Sequence, residues 1–505
     1  MKKQFKIFYT SDTHGAVFQN STDEKPDGLL QCIHQFHKDG NTLILDGGDT
    51  IQGSPISKYL WEHHEFEEVI PYVFNSAAYD YYTLGNHDFN YGYEGLTKYI
   101  NSMKAKCLAA NVFDETDTLS ILPYTIHTLE NGLRIGICGI VTDCVNLWES
   151  KENLKHLKIT EGILAAKKVY EEILDHCDFT ICVYHGGFEC DLDSGIRLTE
   201  GNENIGYEIC KELNYDLLLT AHQHMEIQGR YLFGTYTLQV PANAVKYARI
   251  VVEEENGKFQ ITSDLLTPKG DYSKSLMEYL SPIKKKVDYW LSTPVGTLKT
   301  PIPPTPLLER AIKGSKLADL ANMVQLAETG ADISCAGLSN TILSIDKEVS
   351  LNDVLEMFPF ANATVVLEVK GEILKMALER CASYFELLDG EVIISDRFIK
   401  PKEEHYNYDY YAGVTYTINL KAPVGERVSN VKVKGKPLDN STYQLAMSNY
   451  RTTGTGGYDF FRKCKITYVS KTDFQQSVIW YLKHHSELII PDMGGIELKG
   501  YSFIK

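Results

Sequence analysis

Over the first 250 residues, short apolar runs alternate with segments of helical periodicity. The runs at 7–11, 42–45, 82–84, 133–141, 179–184 and 217–220 are predicted strands. Between the first two, Leu29, Leu30, Ile33 and Phe36 recur at helical spacing, and 163–174 does the same with charge on its other face. A strand with no polar face must be covered on both sides, so the pattern predicts an α/β domain built as a sandwich. From about 234 to 259 strand follows strand, with a turn at Glu255, Asn256 and Gly257. A helical stretch at 272–291 comes next. Pro294, Pro301, Pro303, Pro304 and Pro306 then fall within thirteen residues, which disfavours regular structure and predicts a linker. Residues 307–329 are again helical in pattern, and the remainder is mixed α/β. The expected organisation is a first domain at 1–298, a linker with a helix at 299–328, and a second domain at 329–505.

Composition narrows this picture without redirecting it. A chain of 505 residues fits two or three domains at roughly 150 residues each. Apolar residues at 43% and charged residues at 23% are ordinary for globular proteins and exclude a disordered or fibrous chain. The net charge of −17 argues against duplex nucleic acid or an anionic membrane as the main partner. It leaves room for a small phosphorylated ligand at a locally cationic site. No stretch approaches the roughly 18 apolar residues of a membrane span. Lys2 and Lys3 are not followed by an apolar leader core, and eleven scattered cysteines without CxxC spacing read as free buried thiols. The expected location is cytoplasmic.

The chemistry lies where the apolar runs stop. Asp12 and His14 follow the first strand in YTSDTHG, Asp49 follows the second in LILDGGDT, and Asn86 with His87 follows the third in TLGNHDF. His185 follows ICVY, and His222 and His224 follow LLLTA. Open α/β sheets gather their ligand groups at the carboxyl ends of strands. Any one of these residues is an ordinary loop residue taken alone, but five such segments in succession, each with glycine nearby, form one joint signal. Seven potential ligands of carboxylate, imidazole and amide type, without thiolate, suit Mn²⁺, Zn²⁺ or Fe. They are too many for one four-coordinate ion and suit two ions sharing a carboxylate about 3.5–4 Å apart, an arrangement for phosphoester hydrolysis.

The order DxH, GGD, GNHD, a lone His and HxH resembles the calcineurin-like metallophosphoesterases. MFPFANATVVLEVKGEILKMALE (357–379) and SNYRTTGTGGYDFF (448–461) resemble the C-terminal domain of the 5′-nucleotidases. Within that two-domain family, GNHDFNYG and HYNYDYYAGVTYTINL are most similar to the 2′,3′-cyclic-nucleotide 2′-phosphodiesterase/3′-nucleotidase branch. The resemblance implies an α/β/β/α catalytic sandwich joined through a linker helix to a mixed α/β domain that binds the nucleobase. It implies that Asp12, His14 and His224 hold one divalent ion, that Asn86, His185 and His222 hold a second, and that Asp49 bridges both. His87 would face the scissile phosphate, stabilising charge and protonating the leaving oxygen. Two aromatic rings would clamp the base, Tyr450 being one and either Tyr406 or Tyr408 the other, with Gly454, Gly456 and Gly457 in a loop close to the ligand.

Three positions depart from the 5′-nucleotidase pattern. The carboxylate that orients the catalytic His is replaced by Asn90, whose amide accepts the imidazole hydrogen bond but stabilises its charge less. CAGLSNTIL lacks the arginine of the phosphate-gripping loop, and Gly456 stands where the family has a ribose-binding Asp. The expected function is therefore dimetal-dependent hydrolysis of nucleotide phosphoesters, with a 2′,3′-cyclic nucleotide or 3′-nucleotide as substrate. The alternatives are a 5′-nucleotidase or nucleotide pyrophosphatase and, outside enzymes, a metal-dependent nucleotide sensor or scaffold. Oligomeric state is not legible in the sequence.

Overall fold

Side chains along the central strands are buried on alternate faces. In Arg134–Val141, Ile135 and Ile137 enter one core while Cys138 and Ile140 enter another. Phe179–His185 and Leu217–Thr220 divide in the same way, with Ile181 and Leu219 inward and Cys182 and Leu218 outward. Such strands need cover on both faces, which is why their sequences are continuously apolar. The computed structural model describes residues 2–18, 28–199, 201–360, 362–400 and 402–501. Two units are distinguishable within it, Met1–Val287 and Asp288–Lys505.

The first unit is a sandwich of two sheets. The seven-stranded sheet runs Lys258–Leu266, Tyr247–Glu255, Lys3–Thr10, Thr42–Asp46, Tyr81–Tyr82, Lys106–Leu108, Ile121–Leu122. Its last five strands are parallel, and Tyr247–Glu255 is antiparallel to Lys3–Thr10. The six-stranded sheet runs Ile227–Leu232, Thr235–Gln239, Leu217–Thr220, Phe179–His185, Arg134–Val141, Tyr124–Thr128, parallel at its centre and antiparallel at both edges. Phe5, Ile7, Leu43 and Leu45 of one sheet meet Ile137, Ile181 and Leu219 of the other in a shared core. The helices Gly162–Ile173 and Gly206–Glu212 cover the second sheet through Ala166, Val169, Ile173 and Ile209. On the first sheet Phe8 stacks on Phe36, and Tyr82 packs on Tyr99 of the helix Gly92–Ser102.

The second unit holds a five-stranded mixed sheet, ordered Asp409–Ala412, Ile333–Gly337, Thr442–Ser448, Ala363–Lys370, Lys465–Asp473, and a four-stranded sheet centred on Val414–Asn419. The Pro-rich stretch takes more order than a linker would. Pro294–Thr297 pairs with Glu348–Ser350, and Ile302 bridges to Ile345, both inside the second unit. Pro294 sits at the first position of its strand, where a missing N–H costs least. The unit boundary lies instead within the helix Lys274–Leu291. The helical pattern of 307–329 is divided at Gly314, with φ of 89°, into Leu307–Lys313 and Lys316–Thr329.

Candidate active site

All the strand-end residues of the first unit lie on one rim. Asp12 and His14 follow Lys3–Thr10, Asp49 follows Thr42–Asp46, and Asn86 and His87 open the short 3₁₀ turn Asn86–Phe89 after Tyr81–Tyr82. From the second sheet, His185 ends Phe179–His185, while His222 and His224 follow Leu217–Thr220. Two groups of ligand atoms result, Asp12 with His14 and His224, and Asp49 with His185 and His222, the atoms of each group lying within 4.8 Å of one another. Asn86 joins the second group through Oδ1, 3.2 Å from His185 Nε2.

The backbone is bent to make this possible. Asp12, His14, Asp49, His222 and His224 have φ of 51°, 51°, 55°, 68° and 58°. Non-glycine residues are uncommon in this left-handed region, and such conformations cluster where function requires them. They are held by bonds between loops. Asp12 N–H donates to Gly48 O and His14 N–H to Asp49 O, at 2.9 and 2.8 Å. Asp88, the acid of GNHD, is fully buried and accepts from the N–H groups of Asp49, Thr50, Ile51 and Gly85. Its carboxylate thereby staples the Asp49 loop to the Asn86–His87 turn. Gly85 is obligatory here, because a Cβ would lie 2.1 Å from Asp49 Oδ1.

The electrostatics suit cations. Burial opposes charge on Asp12, yet the imidazoles of His224 and His185 hold its carboxyl down at about 2. Asp49 is held well below the usual carboxylate range, against burial, by His185 and His87. Burial pushes His14 down to about 4, which leaves an unprotonated ring nitrogen to donate. His185 shows the converse: burial opposes its charge, but Asp49 raises it to about 10. The field that attracts a proton to this ring attracts a metal ion equally, and the two compete for one lone pair. Asp49 Oδ2 is buried and faces His185 Nε2 at 3.2 Å, while Oδ1 accepts from His87 N–H. The Asp49–His185 ion pair occupies the place that a divalent ion would take, the ion displacing the His185 proton.

The remaining ring nitrogens are anchored, as metal-binding imidazoles require. His14 Nδ1 bonds Gln52 O, His185 Nδ1 bonds Gly47 O, and His222 Nε2 lies 3.0 Å from Glu203 Oε1. Trp148 stacks on His222, with centroids 5.5 Å apart. His87 packs edge-on against His14, and its Nδ1 bonds Asn90 Oδ1 at 2.8 Å. Asn90 in turn donates to Glu149. Sequence reasoning had no means of finding Glu203, Glu149 or Trp148, which reach the rim from distant segments, whereas Asp88 stood within a motif already singled out.

In the second unit the expectations divide. Tyr408 is a core residue: it is 3% exposed, packs on Tyr384 and Phe385, and donates its hydroxyl to Ala311 O. It cannot stack on a base, which corrects one of the two tyrosine alternatives. Tyr406 is partly exposed, with its hydroxyl directed to Glu404, and Tyr450 is partly exposed on the short helix Asn449–Thr452. The glycines owe their place to the protein itself. A Cβ on Gly454 would lie 2.5 Å from Arg462 Nε, one on Gly456 2.2 Å from Asn407 Oδ1, and one on Gly457 2.5 Å from Arg380 Nε. Internal packing alone therefore excludes a side chain at each of these three positions. Arg451 is likewise committed, 4% exposed and bonded to Asp409 at 2.8 Å, Asn407, Tyr406 O and Thr455 O. A cavity opens beside Ser448, lined by Phe358, Phe360, Asn362, Thr364, Ser339 and Phe474. Phe360 is 50% exposed, and Ala363 N–H donates to Asn449 Oδ1, tying this segment to the one that carries Tyr450.

Comparisons with known proteins agree with this geometry. Residues 5–226 match the calcineurin-like phosphoesterase family and residues 294–463 the 5′-nucleotidase C-terminal domain. The chain is 23% identical to the trifunctional nucleotide phosphoesterase YfkN of Bacillus subtilis over 94% of its own length, spanning 37% of that protein. It is 22% identical to the 2′,3′-cyclic-nucleotide 2′-phosphodiesterase/3′-nucleotidase of Salmonella typhimurium, over 89% of this chain and 81% of that one. The crystal structure of a Staphylococcus aureus protein described as a candidate 5′-nucleotidase, in complex with alpha-ketoglutarate, superposes with a TM-score of 0.90 at 28% identity, over 98% of this chain and 100% of that one. With a calcineurin-like phosphoesterase domain preceding a 5′-nucleotidase C-terminal domain, and a ligand rim to match, the chain belongs to the two-domain 5′-nucleotidase family of hydrolases.

Proposed function

We propose that the protein hydrolyses nucleotide phosphoesters with two divalent ions, and that its preferred substrates are 2′,3′-cyclic nucleotides and 3′-nucleotides. The observation that carries the reading is the pair of ligand groups converging around the buried carboxylate of Asp49. Asp12, His14 and His224 would hold one ion, Asn86, His185 and His222 the other, and Asp49 would bridge them. Nitrogen and oxygen donors without thiolate suit Mn²⁺, Zn²⁺ or Fe. Such a pair, when bound, neutralises phosphate charge and supplies an activated water. The protein's own contribution is to fix the ligands in left-handed backbone, to exclude other partners from Asp49, and to present His87 as a proton donor to the leaving oxygen.

The first unit would carry the chemistry and the second the base, stacked on Tyr450, with Tyr406 or Phe360, which lines the cavity beside Ser448, as the facing ring. The substrate preference is supported by missing cations. The 5′-phosphate grip of the family needs an arginine, and the loop at 337–343 has none. Arg310, beneath that loop, is buried and spends its guanidinium on Ser339 O and Thr341 O. Arg451 is enclosed in its pair with Asp409. The Salmonella relative, by name a 2′,3′-cyclic-nucleotide 2′-phosphodiesterase/3′-nucleotidase, accords with this preference. No helix among the described residues is long and apolar enough to cross a membrane. Eight of the eleven cysteines are buried as thiols rather than disulfides, which supports a reducing, cytoplasmic location.

The test is phosphate release by chelator-stripped protein given Mn²⁺, with 2′,3′-cyclic AMP, 3′-AMP and 5′-AMP in parallel; the cyclic ester is followed by chromatography of the opened product. Turnover of the first two above 5′-AMP is expected. Fastest turnover of 5′-AMP would reassign the protein as a 5′-nucleotidase, and nucleotide binding without hydrolysis would make it a sensor.

A further inference from the structure

His87 is backed by a chain of hydrogen bonds that runs through Asn90 and ends on a carboxylate 59 residues beyond Asn90 in the sequence. Asn90 Oδ1 faces His87 Nδ1 at 2.8 Å, and Asn90 Nδ2 faces Glu149 Oε2 at 2.7 Å. Glu149 is itself fixed, since its Oε1 accepts from Ser150 N–H at 2.6 Å and from Asn153 Nδ2 at 2.9 Å. Asn153 Nδ2 also reaches Asn90 O at 3.1 Å, closing the network on the turn that carries His87. Glu149 directly follows the short helix Val145–Trp148, whose Trp148 stacks on His222.

The directions of these bonds are forced by chemistry. An ionised carboxylate can only accept, so the Asn90 amide must turn its NH₂ toward Glu149. Its carbonyl oxygen then faces the ring and can only accept from it. The ring must therefore carry hydrogen on Nδ1, which leaves Nε2 as the working nitrogen. An amide alone cannot impose this, because it flips as readily with NH₂ toward the ring, and that orientation selects the opposite tautomer.

We propose that Glu149 is a positioning residue for His87, setting the tautomer and orientation of the ring through the Asn90 amide and so supplying at one remove the carboxylate that position 90 lacks. The inference rests on the reading of His87 as proton donor to the leaving oxygen. The proton on Nε2 goes to the departing ribose oxygen as its bond to phosphorus breaks, and the hydrogen on Nδ1 stays on Nδ1, donated to Asn90 Oδ1, throughout. Glu149→Gln keeps size and shape but can donate to Asn90, so the amide is free to reverse. A carboxylate removed from its imidazole partner in this way yields the wrong tautomer and a loss in kcat in other enzymes.

The experiment compares two leaving groups. A ribose oxygen needs a proton to depart, whereas p-nitrophenolate does not, so only the first depends on His87 being correctly set. With Glu149→Gln, kcat on 2′,3′-cyclic AMP is expected to fall about tenfold or more. KM for that substrate and turnover of bis-p-nitrophenyl phosphate should each stay within about twofold, as should bound metal. The double variant Asn90→Asp/Glu149→Gln puts a carboxylate directly on the ring and is expected to recover cyclic AMP turnover. Glu152→Gln, an exposed neighbour, is the control. Equal losses on both esters, or no loss on either, would overturn the proposal. Should Glu149→Gln not fold, Glu149→Asp, too short to reach Asn90, is expected to give the same split between esters. Histidine ¹⁵N spectra of the chelated protein at alkaline pH test the tautomer without turnover: Nδ1–H is expected for His87, and Nε2–H in the unsubstituted protein would overturn the inference. Lack of hydrolysis by the unsubstituted protein would instead defeat the proposed function, so the two failures are distinguishable.

Discussion

The ligand rim of the first unit and the aromatic loops of the second are both made of turns that follow strands, and both carry glycine beside polar or aromatic side chains. They differ in what their side chains can do without a ligand. On the rim, carboxylates and imidazoles converge at buried strand ends, and five residues hold left-handed backbone to bring them there. Nothing in ordinary packing rewards that arrangement, in which the buried Asp49 Oδ2 faces His185 Nε2 at 3.2 Å. In the aromatic loops a tyrosine ring is equally satisfied by a core. Tyr408 and Tyr411 are core residues, and Tyr458 stacks against Phe461 in the interior. Polar residues that satisfy only each other indicate a ligand, whereas aromatic residues near a motif do not.

The largest expected effect breaks the rim. Asp49→Ala removes the shared ligand and should lower phosphate release by about a thousandfold, with loss of bound metal measured by mass spectrometry; full activity with two ions retained would remove Asp49 from its role. Next, His87→Ala should lower kcat on 2′,3′-cyclic AMP by roughly a hundredfold while metal content stays constant. In the second unit the effects are smaller and fall on KM. Phe360→Ala should raise KM for nucleotides by about tenfold, the loss of roughly one stacking contact, and leave bis-p-nitrophenyl phosphate turnover unchanged. Tyr408→Phe should do the opposite, leaving KM untouched and lowering stability by about 1 kcal/mol through the lost bond to Ala311 O. A KM effect at Tyr408 and none at Phe360 would invert the assignment of that pocket.

The smallest expected effect is remote from both sites. Asp114 sits under the turn at 116–119, where burial would raise its carboxyl but bonds from Leu119 and Thr116 N–H and from the Thr116 and Tyr93 hydroxyls hold it at about 2, against an ordinary 3.8. A carboxyl lowered on folding stabilises the protein above the unfolded value and loses that contribution as pH falls through the folded one. Asp114→Asn should therefore lower the melting temperature slightly at neutral pH, with the difference closing between about pH 4 and pH 2. A constant difference across that range would mean that the turn does not depend on the charge.

Legibility in the sequence follows the same division. The central strands were readable because burial on both faces leaves continuous apolar runs, and the candidate metal ligands from Asp12 to His224 stand at their ends. Short strands at or next to a sheet edge, such as Lys106–Leu108, Ile121–Leu122 and Tyr124–Thr128, were not, because two to five residues carry too little pattern. The break at Gly314 and the strand at Pro294 depend on tertiary partners. Asn90 was legible as a departure, but its compensation was not: Glu149 is a surface-like glutamate after a four-residue helix, and only the fold brings it to the amide. Phe360 lay in a quoted motif, yet its exposure and not its identity distinguishes it from its neighbour Phe358.

The central claim is that chemistry on the rim requires two ions sharing Asp49. The most direct test is a titration of chelator-stripped protein with Mn²⁺, following hydrolysis of 2′,3′-cyclic AMP against ions bound per chain. Activity that appears with the second ion and reaches its plateau at two per chain is the predicted result. A plateau at one ion, or hydrolysis undiminished by chelation, would contradict it.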